Sequence, residues 1–256
     1  MRKTTLIVLA ALSVAGLQPV SAQDGDEPAT YVYVTYFECN AGREYRADEI
    51  IERSFKPHYD AAVEAGDILQ WSWLTHFMGG KWRRALLLTT GNMDDLLAAA
   101  GALGEAIAES TPEAGRVFTE ICPIHEDYIW QTVADIGGTA ATAQRGAVGF
   151  STYMVCDINR QERADEIMRE TIGPIYDARV ASGDLTSWTW LTHIVGGQWR
   201  RLLSLTATDH NSMMRVRSEI VGELRTGRAQ RAFNQLNEIC NDHDDYLWDI
   251  MQYENR

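Results

Sequence analysis

The chain contains itself twice. The block Trp71-Ser-Trp-Leu-Thr-His76-Phe-Met-Gly-Gly-Lys-Trp82-Arg-Arg84 returns as Trp188-Thr-Trp-Leu-Thr-His193-Ile-Val-Gly-Gly-Gln-Trp199-Arg-Arg201, displaced by 117 positions (188 − 71). The same displacement carries Cys39 to Cys156, Ala47-Asp-Glu-Ile50 to Ala164-Asp-Glu-Ile167, Pro57 to Pro174 and Tyr59-Asp60 to Tyr176-Asp177. After one inserted residue the offset becomes 118, and His125-Glu-Asp-Tyr-Ile-Trp130 matches His243-Asp-Asp-Tyr-Leu-Trp248. All eight tryptophans and all four cysteines have counterparts. Such a duplication constrains architecture before any element is assigned, because both copies must form the same unit and bury an apolar face against something.

Met1 to Ala22 has the basic start, apolar centre and small-residue end of a secretory signal peptide. The remainder divides into an extension (residues 23–30), a first repeat (31–134), a linker (135–147) and a second repeat (148–256). No segment offers the roughly 18 uninterrupted apolar residues of a membrane span, so a periplasmic or secreted protein is expected. The formal charge of −13, or −15 without Arg2 and Lys3, argues against a nucleic-acid partner, which needs clustered Lys and Arg. Four cysteines in an exported chain imply disulfides, with three possible connectivities. Each copy carries one Cys early and one late, so the symmetry selects Cys39–Cys122 and Cys156–Cys240. A structural metal is the rival reading, but the separations are far longer than the usual C-x₂₋₄-C.

Within each copy, β-branched and aromatic residues from Tyr31 to Cys39 predict a strand, and the spacing of Ala47, Ile50, Ile51, Phe55 and Tyr59 predicts a helix over 44–65, interrupted at Pro57. Residues 68–78 and 81–90 read as a hairpin turning at Gly79-Gly80. Helices follow over 92–109 and 112–121, then a strand over 124–133. The order β-α-β-β-α-β is that of the ferredoxin-like split unit, whose open sheet face requires a cover. The predicted fold class is therefore α+β, with two tandem ferredoxin-like repeats packed sheet to sheet as an intramolecular barrel. On this element order and duplication the chain resembles the dimeric α/β-barrel superfamily in fused form, and most of all its antibiotic-biosynthesis-monooxygenase, stress-responsive barrel and NIPSNAP-type groups. The resemblance implies a small-molecule function ranging from cofactor-free oxygenases and isomerases to haem-handling enzymes.

Alternation along the hairpin places Trp71, Trp73, Thr75, Phe77, Trp82, Leu86 and Leu88 beneath the helices, and Ser72, Leu74, His76 and Arg83 on the opposite, cavity face. The second copy places Thr189, His193 and Arg200 likewise. The disulfide phases the first strand so that Tyr36, Glu38, Tyr153 and Asp157 face the cavity. The apolar parity of Tyr128 and Trp130 assigns His125 and Asp127, with His243 and Asp245, to that same side. Histidine as base and Arg83 or Arg200 as oxyanion partner would suit an oxygenase or isomerase. The same groups without chemistry would hold a small-molecule ligand, and a filled interior would leave an interaction module. No cofactor is predicted; haem on one His per repeat, or a divalent metal on His76 and His125 with Asp127 or Glu38, are the alternatives. Acidic helices in the first copy and Arg215, Arg217, Arg225, Arg228 and Arg231 in the second suggest faces that meet in a homo-oligomer.

Overall fold

In the computed structural model, residues 29–140 and 146–255 are described; the expected signal peptide lies outside them. Eight strands dominate: β1 (Tyr31–Glu38), β2 (Gln70–Met78), β3 (Arg84–Thr90), β4 (Ile124–Thr139), β5 (Val148–Cys156), β6 (Ser187–Val195), β7 (Arg201–Ala207) and β8 (Cys240–Asn255). The first half pairs in the order β4-β1-β3-β2 and the second in the order β8-β5-β7-β6, all antiparallel. The free edges then join each other: β2 pairs with β8 and β4 with β6, closing a single barrel. Packing of the two sheets face to face is thus accompanied by edge pairing, which removes the exposed strand edges that invite aggregation. The segment expected as a linker begins inside β4, which continues past a bend at Asp135 (φ 62°) to pair with β6.

Helices cover the outside. In the first half these are α1 (Glu44–Ile50), a π-helical turn (Ile51–Phe55), α2 (Lys56–Ala65), α3 (Met93–Ser110) and α4 (Pro112–Ile121). The second half repeats them as α5 (Gln161–Ile167), a π turn (Met168–Ile172), α6 (Gly173–Ala181), α7 (His210–Glu223) and α8 (Gly227–Ile239). The π turns precede Pro57 and Pro174, where a missing N–H and a ring clash forbid the ordinary ladder. Lys56 accordingly bonds Ile51, five residues back. Asn92 and Asp209 cap α3 and α7, each side chain accepting a backbone N–H 2.9 Å away. Cys39–Cys122 and Cys156–Cys240 are bonded as expected, each tying the end of the half's first strand to the end of its last helix.

The repeated Trp-x-Trp block is explained by one buried network. Trp73 Nε1 donates to Asp48 Oδ1 at 2.9 Å, and Arg84 Nε and Nη2 grip the same carboxylate at 2.6 and 2.7 Å. Trp71 Nε1 donates to Asp60 at 2.9 Å. The second half reproduces it with Trp190, Arg201 and Asp165, and with Trp188 and Asp177. A bidentate guanidinium is among the few pairs strong enough to keep a cation buried, and Arg84 and Arg201 are only 6% and 3% exposed.

Candidate functional site

The barrel lumen was the expected cavity, and it is filled with aromatic rings. Tyr36, Trp82, Tyr128, Trp130, Tyr153, Trp199, Tyr246 and Trp248 form one buried cluster there. Trp82 stacks on Tyr36 at 4.0 Å and on Tyr246 at 5.1 Å, while Tyr36 and Tyr153 meet edge to face at 5.5 Å. Burial pushes the Tyr36 and Tyr153 hydroxyls well above the usual phenol range, and each also feels the other. These are packing groups hydrogen-bonded to each other, not exposed proton donors.

The two barrel histidines lie beside these rings. His76 lies edge-on to Tyr246 and Trp248, and His193 to Tyr128 and Trp130. Burial and then the neighbouring Arg83 or Arg200 hold both imidazoles below the usual histidine range. Arg200 Nη1 donates to His193 at 3.0 Å, but Arg83 turns to Glu44 of α1 at 2.6 Å, because position 161 in the second half is Gln rather than Glu. Ser72 and Thr189 occupy equivalent lumen-side positions in β2 and β6. Glu38 is drawn to the rim by Lys81 at 3.2 Å, and Asp157, expected in the cavity, is instead on the surface beyond the end of β5, where it binds Arg160 at 2.8 Å; the register equivalent of Glu38 is Val155.

Two sets of assignments are corrected. His125, Asp127, His243 and Asp245 lie on the helix side of the sheet, not the lumen side: Tyr128 and Trp130, whose parity phased the strand, point into the lumen, while Ile129 joins the helix-side core. With apolar residues on both faces, polarity cannot phase such a strand. Trp82 and Trp199 also leave the helix side. The hairpin ladder ends at Thr75 and Arg84, so alternation stops there and the indoles swing inward; Phe77, also expected in the core, is half exposed and lies tilted against His210 of α7, ring centres 4.0 Å apart. His76 and His125 therefore occupy opposite faces and share no site.

The Gly-Gly turns serve this lumen. A Cβ on Gly80 would strike the Tyr246 hydroxyl, and one on Gly197 the Tyr128 hydroxyl, so each half's turn closes over a tyrosine of the other half.

The cavity that does form lies between sheet and helices of the second half, with a volume of about 120 Å³. Its apolar walls include Met154 of β5, Met168 and Ile172 of the π turn, Trp190 of β6, and Phe233 and Leu236 of α8. Its polar edge holds Thr152, Arg217, His243 and Asp245. Thr152 Oγ1 donates to Asp245 Oδ1 at 2.8 Å and Arg217 Nη2 to Oδ2 at 2.6 Å. The reason for the space is visible by superposing the repeats. Phe37, Phe55 and Phe118 occupy the first half, in contact at 5.2 Å (Phe37–Phe118) and 5.6 Å (Phe55–Phe118); their counterparts are the smaller Met154, Ile172 and Leu236, while Phe233 stands where the first half has Gly115. Arg217 likewise stands where the first half has Ala100. Sequence reasoning named Asp245 and His243 but missed Arg217 as a site residue and missed the cavity; the repeat-against-repeat differences at these positions were the available signal. A larger and more open groove of about 660 Å³ lies between α2 and α3 of the first half, lined mainly by alanines with His58, Asp67 and Asp95 at its polar edge.

A haem does not fit this space, which is well under the roughly 300–1,000 Å³ of sites for larger ligands. Among the described residues no group of three or more His, Cys, Asp or Glu side chains is placed to hold a metal. No helix among them is long and apolar enough to cross a membrane.

No family model matches the sequence, and no curated protein matches it. Solved structures do. A protein of Fusobacterium nucleatum provisionally classed as a monooxygenase aligns with a TM-score of 0.60 at 12% identity, covering 90% of this chain and 96% of the other. A second provisional monooxygenase, from Lactobacillus acidophilus, gives 0.59 at 8% identity over 89% and 96%. A chlorite dismutase variant from Candidatus Nitrospira defluvii gives 0.55 at 10% identity over 87% and 91%.

Proposed function

Because the chain has the fold of the dimeric α/β-barrel superfamily, we propose that its second half binds a small apolar molecule between sheet and helices. In this reading the protein is a duplicated ferredoxin-like unit, residues 31–134 and 148–256, exported through its signal peptide, in which the second copy is the binding unit. The carrying observation is the cavity itself, lined by Met154, Ile172 and Leu236 where the first half has three phenylalanines. Interiors are close-packed, so a space left beside the core of one half forgoes stabilising contacts. The two disulfides support an oxidising compartment.

The test is ligand-observed NMR on the mature protein with small apolar probes, such as toluene. Saturation transfer is expected for the wild type and not for Leu236→Phe, which restores the first half's side chain. Equal signals from both proteins would refute the site.

A second reading is a cofactor-free monooxygenase, favoured by the provisional monooxygenases and the anthrone oxidase-like protein among the structural neighbours. His243 at the cavity edge would then be the base, in place of His76 or His193, whose lumen is occupied by rings. Oxygen uptake with an aromatic substrate and no added cofactor, lost in His243→Ala, is the result this reading requires.

A further inference from the structure

Resting on that reading of the second-half cavity, we propose that its ligand is a neutral ring or short chain bearing one hydroxyl group, and neither an acid nor an amine. The polar edge carries the argument. In the first half His125 lies 3.3 Å from Asp127 and position 100 is Ala. In the second half the equivalent carboxylate, Asp245, is held by Arg217 at 2.6 Å, and His243 makes no such ion pair. Arg217 is further anchored 4.3 Å above the Phe150 ring. The cation that accompanies the cavity thus cancels the charge of the one carboxylate beside it.

That cancellation selects the ligand. A carboxylate placed on Arg217 would lie against Asp245, and an ammonium placed on Asp245 would lie against Arg217. Each gains one attraction and meets one repulsion at similar distance, after losing its own hydration. A hydroxyl avoids the conflict, because it both donates and accepts. Asp245 uses one bond on each oxygen and has lone pairs to spare, and Arg217 has further N–H groups beyond the one it gives to Asp245. The hydroxyl would donate to the first and accept from the second. Size completes the description: about 120 Å³ compares with the ~150 Å³ of a cavity that holds benzene, so the apolar body is one ring or a chain of about six carbons.

Calorimetric titration of the mature protein with phenol, toluene, benzoate and benzylamine tests this, with cyclohexanol and methylcyclohexane as a non-aromatic pair. Phenol and cyclohexanol should bind at least about tenfold more tightly than their methyl counterparts and than either ion, since a methyl group would cover the part-buried Arg217 and Asp245 without replacing the hydrogen bonds their remaining donors and acceptors make to water. Asp245→Asn, which leaves Arg217 uncompensated, should shift the preference toward benzoate by at least about tenfold. Should that variant fail to fold, Arg217→Gln should shift it toward benzylamine. Equal binding of phenol and toluene, or a wild-type preference for benzoate or benzylamine, overturns the proposal and leaves the cavity as a site. Binding of none of the six probes overturns the site itself.

Discussion

Giving the second half the first half's phenylalanines, as Met154→Phe, Ile172→Phe and Leu236→Phe together, should fill the cavity and stabilise the protein. The same three side chains already pack on an equivalent backbone in the first half. A void costs about 24 cal/mol per Å³, so removing all of the ≈120 Å³ is worth at most about 3 kcal/mol. Imperfect rotamers return about 1–2 kcal/mol of that, leaving about 1–2 kcal/mol. For a protein of this size 1 kcal/mol moves the melting temperature by ~2–4 °C, so calorimetry should record a rise of roughly 2–8 °C. The reciprocal variant, Phe37→Met, Phe55→Ile and Phe118→Leu, should melt lower than wild type. A filled second half that melts below wild type, or an emptied first half that does not, would refute the reasoning that the halves differ by a deliberate void.

Asp165→Ala strands the buried Arg201 guanidinium and leaves the Trp190 N–H unpartnered, so denaturant unfolding should show a loss of about 3–5 kcal/mol. Gly80→Ala drives a methyl group into Tyr246 and should cost about 1–3 kcal/mol, partly recovered in the double variant with Tyr246→Phe, which removes the struck hydroxyl. His76 and His193 are held below the usual histidine range, so between that range and their folded values the unfolded chain binds more protons than the native one. Stability should therefore fall as pH drops below about 6.5, the unfolded value. A His76→Gln, His193→Gln variant should show a flatter stability profile in acid, read by melting temperature against pH.

The duplication was enough to anticipate the element order, the hairpin turning at Gly79-Gly80 and both disulfides, because these follow from local periodicity and from symmetry between copies. It misplaced the last strand of each half. The apolar parity of Tyr128, Trp130, Tyr246 and Trp248 points to the helix side, yet a closed barrel has two apolar faces, an outer one under helices and an inner one of its own. For such strands alternation is visible but its sign is not. Trp82 escaped for a related reason: alternation holds only while the ladder does, and the ladder ends two residues earlier in the hairpin than Trp82 requires.

Chain sequence alone thus determined what each copy is made of: strands, helices, turn glycines, capping residues and cysteine partners, all set by interactions within one repeat. Tertiary structure decided what faces what. The edges of one half close on those of the other, the Gly-Gly turn of one half lies over a tyrosine of its neighbour, and the lumen fills with rings from both. The candidate site follows the same division. Its residues were all readable, and the differences at positions 154, 172, 217 and 236 were present in the alignment of the repeats. Their meaning required three-dimensional packing, because a void is a property of how distant side chains fail to meet, and no single residue carries it.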